Sequence, residues 1–154
     1  MFIIDGKLDG LNEYTDDCRA SKFSGYSTKK RNELQVRLAV VKYGQKMVKA
    51  YPIHPTIIWY DATNRDVDNI IFAKKFIMDA LQKQGIIQND SRRYVDGYTD
   101  IVRTDRKHPR IVVYLDDYDG EEDEKEYEED EEDEAEKENE KMTAVKEDKE
   151  DGES

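Results

Sequence analysis

A sharp change in composition at residue 116 divides this chain into two parts that cannot share one fold. Residues 116–154 hold 23 of the 37 acidic residues and only 5 of the 25 basic ones, a net charge of −18. Residues 1–115 therefore carry +6, although the whole chain stands at −12. Glu121 to Glu140 is almost wholly acidic. Such a run has too little apolar surface to offset the entropy of ordering it. A disordered acidic tail over 116–154 and a single basic domain over 1–115 are expected, and so small a core gains from dimerisation.

Within the body, residues 2–4, with 7–8 as a possible continuation, read as a strand, and a polar stretch follows. Ser27 or Thr28 is a reasonable N-cap for a helix whose apolar stripe is Leu34, Leu38, Val41 and Val48, ending before Tyr51-Pro52. Thr56 to Tyr60 is β-branched and aromatic, as in a strand. A second helix is predicted from about Asn69 to Gln84, with the stripe Ile70, Ala73, Ile77, Ala80 and Leu81 and a stop at Gly85. Strands around 92–103 and 110–115 complete the chain, with Asp105 to Pro109 as a hairpin-like link. The order β-α-β-α-β-β predicts an α+β domain: a small mixed β-sheet with two main helices packed on it.

The lone Cys18 allows no internal disulfide and no zinc site, which suits a reducing compartment. The opening Met1 to Gly6 lacks the basic and apolar regions of a signal peptide, and no apolar run approaches membrane-spanning length. A soluble, cytoplasmic protein with no membrane partner is expected.

The densest chemistry is Asn64-Arg65-Asp66-Val67-Asp68-Asn69, followed after the helix by Asn89-Asp90. In an extended segment Asp66 and Asp68 share a side, and Asp90 lies where the chain has turned back. Three carboxylates brought together offer hard oxygen ligands for Mg²⁺ or Mn²⁺. The plain alternative is that Asp66 and Asp68 cap a helix and Asp90 serves a turn. Lys75, seven residues after Asp68, falls on the same helix face, whereas an ideal helix turns Lys74 elsewhere. Asp79 reads as the i+4 partner of Lys75. Arg65, Arg92 and Arg93 lie beside the carboxylates and suit a phosphate backbone. Lys29 to Arg31, and the group Arg103, Arg106, Lys107 and Arg110, add positive charge. His54, His108 and Cys18 have no ligand or base at useful spacing.

These residues resemble a known pattern. Arg65-Asp66-Val67-Asp68-Asn69, with Lys75, Asp79-Ala80-Leu81, Gly85 and Asp90, is similar to the core of RusA-type Holliday junction resolvases, above all their phage and prophage members. Leu11 to Tyr14 and Pro109 to Val113 add to the likeness, which covers most of residues 1–115 and none of the tail. The resemblance implies a homodimeric, Mg²⁺-dependent endonuclease that cuts four-way DNA junctions in recombination, repair or phage DNA processing. It implies Asp66, Asp68 and Asp90 as metal ligands and an assisting lysine. Counted back from Asp79 that lysine is Lys75; counted forward from Asp68-Asn69 the position falls on Phe72, as if the helix held about three extra residues. The first long helix and a sheet edge are both candidate dimer interfaces. Two other readings stay open: a branched-DNA-binding protein without catalysis, and an interaction protein acting through its acidic tail.

Overall fold

The computed structural model describes residues 1–116 and Tyr118. Strand β1 (Phe2–Asp5) buries Phe2 and Ile4 and exposes Asp5, the alternation of a half-covered edge strand. Strand β2 (Thr56–Asp61) is buried at every position, as a central strand must be. Strand β3 (Thr99–Thr104) runs parallel to β2, and β4 (Arg110–Tyr114) pairs antiparallel with both β1 and β2. The sheet order is β1-β4-β2-β3. The domain is thus a small mixed α/β protein with a four-stranded mixed sheet.

The expected β3–β4 hairpin is not formed, because β2 lies between the two strands. The helical crossover after β2 returns the chain parallel to it, placing Thr99 beside Thr56. Residues 105–109 then cross the end of β2, where the Asp105 amide donates to the Asp61 carbonyl at 3.0 Å. The strand also starts later than predicted. Residues 91–95 form turns on the Ser91 carbonyl, and Val95 makes an isolated parallel bridge to Ile53, ahead of β2.

The polar stretch after β1 is a helix, α1 (Leu11–Ala20), which contradicts the two-helix expectation. None of its residues is buried, so it has no strong apolar stripe to read. The Glu13 carboxylate accepts from the Gly10 amide at 3.1 Å to start it. A close approach then brings α1 against α2 (Lys22–Lys42): a Cβ on Gly25 would lie 2.6 Å from Cys18 Sγ.

Helix α2 starts earlier and ends earlier than predicted. Ser21, not Ser27 or Thr28, caps it, accepting from the Ser24 amide at 2.9 Å. Gly44, at φ 61°, turns the chain away after Tyr43, so Val48 is outside the helix. The buried face is also different. Val36, Ala39 and Val40 enter the core, while Leu34, Leu38 and Val41 are exposed. The inward face includes polar residues that have dedicated partners. Asn32 Nδ2 donates to Asp9 Oδ2 at 2.6 Å, and its Oδ1 accepts from the Asp9 amide at 2.9 Å. Glu33 accepts from Lys83 Nζ at 2.6 Å.

The second predicted helix is present in two pieces, α3 (Val67–Ile71) and α4 (Lys74–Lys83), and Gly85 follows at φ 72°. Its predicted stripe is buried throughout: Ile70, Ala73, Ile77, Ala80 and Leu81 all pack in the core. The expected disordered tail lies outside the described residues, apart from its first positions.

Candidate functional site

The site is built where β2 runs into α3. Asp66 is the N-cap of α3, with φ −63° and ψ 149°, but its carboxylate makes no capping bond. Asp68 sits in the first turn of the helix. The segment is therefore helical rather than extended at Asp68, so the two-residue spacing does not place Asp66 and Asp68 on one side. Asn69 fixes the roll of α3. It is buried, and its Oδ1 accepts from the Asn12 amide at 3.0 Å. Only glycine fits beside it: a Cβ on Gly10 would come within 2.4 Å of that oxygen.

Between α3 and α4 the helix tightens. Ala73, Lys75 and Phe76 donate to the carbonyls of Ile70, Phe72 and Ala73, all three residues back. Three steps at 3₁₀ rather than α pitch add roughly 60° of rotation. In an ideal helix Lys74 would point away from Asp68 and Lys75 towards it. The extra rotation lets the two lysines straddle that direction. Both line the same groove, which corrects the expectation for Lys74.

This groove has a volume of about 430 Å³. Asp68, Asp90, Asp79, Lys74, Lys75 and Tyr98 line it, over a floor that includes Phe72 and Met78. Asp90 arrives from the loop after α4, where the Ser91 amide donates to Asn89 Oδ1 at 2.8 Å. Asp68 and Asp90, 22 residues apart in sequence, thus face one space. Asp66 is exposed and is not part of the groove lining.

The groove's charges are not equivalent. Asp79 accepts from Lys29 at 2.6 Å and stands 3.9 Å from Lys75. Lys74 is paired with Asp100, and its ammonium lies 4.6 Å from the Tyr98 ring centroid. Asp68 and Asp90 pair with no cation among the described residues, which leaves their oxygens available. Burial, then the Asp90 and Asp100 charges, raise the Tyr98 hydroxyl above its ordinary range.

Two unpaired carboxylates on a solvent-accessible groove fit magnesium, which keeps several waters when held by one or two carboxylates. Among the described residues, no three His, Cys, Asp or Glu side chains form a ready metal cluster.

The predicted basic residues fall into two groups. Arg92 and Arg93 are exposed, just past Asp90, and Arg93 lies 5.9 Å from the Tyr94 ring. Arg65 is different: it donates to Asp61, lies 3.6 Å from Glu13, and its Nε is buried without a partner. Its guanidinium is part of the internal framework. Lys29 joins Asp79 and Glu33, Arg31 joins Asp9, and Arg110 joins Asp105 and stacks on Tyr60.

The chain matches no protein-family model and no curated protein. Among the described residues no helix is long and apolar enough to cross a membrane.

Sequence reasoning overlooked Asp100 and Tyr98. Tyr98 immediately precedes β3 and Asp100 lies in it. The pairing of β3 with β2 brings Tyr98 to the groove and Asp100 to Lys74, which lines it, and only a correct strand order would have pointed to them.

Proposed function

We propose that this protein is a Mg²⁺-dependent endonuclease of the RusA type that cuts branched DNA at the groove between α3, α4 and the Asp90 loop. The observation that carries this reading is the convergence of Asp68, Asp90 and Lys75 on one groove, with the Asp68 and Asp90 oxygens unpaired. The resemblance of the Arg65–Asn69 block and of Asp90 to such resolvases supports the same residues.

Asp68 and Asp90 would hold the metal, and Asp66, two residues before Asp68 at the N-cap of α3, would be the third carboxylate that the resemblance implies. A bound magnesium supplies charge neutralisation at the phosphate and a more acidic water. The chain's own residues do the rest. Lys75, exposed at the rim, offers donors to a phosphate oxygen. Arg92 and Arg93 hold the flanking backbone and make affinity salt-dependent. A homodimer would present two such grooves to a four-way junction.

The test is incubation of the protein with a labelled immobile four-way junction in Mg²⁺, beside linear duplex and Asp68→Asn. Paired nicks in the junction are expected, and none with duplex, with EDTA or with the variant. Removing a metal-binding carboxylate should cost at least about 100-fold in rate. One observation favours a second reading, a junction binder without catalysis: no ready three-carboxylate cluster stands among the described residues. Tight junction binding without cuts in Mg²⁺ or Mn²⁺ would establish it.

A further inference from the structure

Lys74 lines the groove, and Asp100, outside the groove lining, is its ion-pair partner. Trp59 lies on the central strand and is almost wholly buried. Its Nε1–H donates to Asp100 Oδ1 at 3.0 Å. Asp100 pairs with Ile57 across the β2–β3 ladder, so Trp59 is its diagonal neighbour. The second oxygen of Asp100 takes a hydrogen bond from Lys74 Nζ. The Tyr98 ring covers another side of the ammonium. What remains of Lys74 faces the groove that holds Asp68 and Asp90.

We propose that Asp100 is a positioning residue, which anchors the Lys74 ammonium to the central strand and so presents a fixed cation to an anion in the groove. The inference rests on the endonuclease reading only for the identity of that anion, a DNA phosphate. The comparison with Lys75 carries it. The Lys75 side chain is 56% exposed and stands 3.9 Å from its carboxylate, whereas those of Lys74 and Asp100 are 21% and 14% exposed and directly bonded. A free lysine loses rotamer entropy when it meets a phosphate; one already held does not. Preorganised donors of this kind act without reorganisation at the moment of reaction. A mere tether between α4 and the sheet would give little stability for its desolvation and would not need an open side towards two unpaired carboxylates.

The experiment uses the full chain and four variants: Lys74→Met, Lys74→Arg, Asp100→Asn and the double variant Lys74→Met with Asp100→Asn. Asp100→Asn keeps a carbonyl for Trp59 but loses the charge. Single-turnover cleavage of a four-way junction in Mg²⁺ and junction affinity in EDTA are measured for each. Lys74→Met should slow cleavage about 100-fold, with partial recovery in Lys74→Arg. Asp100→Asn should slow it on the order of tenfold, with affinity changed less than about twofold. The double variant should be no slower than Lys74→Met alone, because Asp100 acts through that lysine. Multiplicative losses, or a wild-type rate in either single variant, overturn the proposal.

If the wild-type protein cuts nothing, the endonuclease reading fails and the ¹H–¹⁵N signals of the lysine ammonium groups decide this one. A Lys74 signal, identified by its loss in Lys74→Arg, that disappears in Asp100→Asn and shifts when junction DNA is added sustains the positioning role. A signal indifferent to either change refutes it.

Discussion

Arg65 shows how a residue chosen for one task can be committed to another. Beside two candidate metal ligands, a cation suits a phosphate backbone, yet the chain turns its guanidinium inward to Asp61 at the end of β2. Burial alone would raise the Asp61 carboxyl, but hydrogen bonds from Arg65 and Thr63 outweigh it and hold it below its ordinary value of 3.8. A depressed carboxyl stabilises the fold fully above its unfolded value and loses that contribution as pH falls through the lower folded value. Asp61→Asn leaves the largely buried Arg65 guanidinium without its nearest counter-ion, with only the more distant Glu13 at 3.6 Å, at a cost of about 1–3 kcal/mol near neutral pH. Chemical denaturation across a pH series should show this gap, and the gap should narrow below about pH 4 as wild-type Asp61 becomes protonated. A constant gap down to strong acid would mean that folding leaves the Asp61 carboxyl unshifted. Arg65→Lys should not restore function-neutral stability, because a single ammonium cannot also reach Glu13 and the Leu8 carbonyl as the guanidinium does.

At the scale of elements, α2 makes the sharpest distinction. Its face of Leu34, Leu38 and Val41 is exposed, and Val36, Ala39 and Val40 are buried instead. Leu38→Ala should therefore change stability by less than about 0.5 kcal/mol, as surface substitutions do. Leu81→Ala on α4, fully buried, should cost about 2–5 kcal/mol. Thermal unfolding of the two variants checks this directly, and sedimentation of the wild type beside Leu38→Glu tests α2 as the face of the proposed homodimer: a dimer shifted towards monomer assigns it, an unshifted dimer leaves the sheet edges β1 and β3, and a monomeric wild type overturns the dimer. These elements also show what sequence can reveal. The α3–α4 stripe was readable because Ile70, Ala73, Ile77, Ala80 and Leu81 all pack in the core. The α2 face was not, since Asn32 and Glu33 enter the interior on partners far away in sequence, Asp9 and Lys83. Helix α1 was hidden because it buries nothing of its own. At the site, residue type, spacing and the family resemblance single out Asp68, Asp90 and Lys75, and these three line one groove because a strand, a helix and a return bring them together. Lys74 and Asp100 escaped because one depends on a local tightening of the helix and the other on strand order, and neither leaves a periodic signal.

On the scale of the whole molecule, charge sets the terms for any polyanion. Leu115 is buried and the Tyr118 ring lies 5.0 Å from that of Tyr114, so a cut after Tyr118 respects the folded body better than one at 116. Residues 119–154 carry 21 acidic and 5 basic side chains, and their removal changes the net charge from −12 to +4. A linked segment of that charge repels DNA from the neighbourhood of the body without needing to touch it. The repulsion acts over a Debye length of about 10 Å at 0.1 M salt and about 30 Å at 0.01 M. Removing the segment should therefore tighten junction binding, most at low ionic strength, and steepen the fall of affinity with salt, because more of the phosphate attraction is left unopposed. Titrations of labelled junction at several salt concentrations, with the full chain and with residues 1–118, measure both quantities. If affinity and slope are the same in the two proteins, the acidic segment has no part in DNA binding, and its charge serves solubility or a different partner. A cationic protein retained by the full chain and lost by residues 1–118 would then be the result to look for, and it would move the weight of function from the groove to the tail.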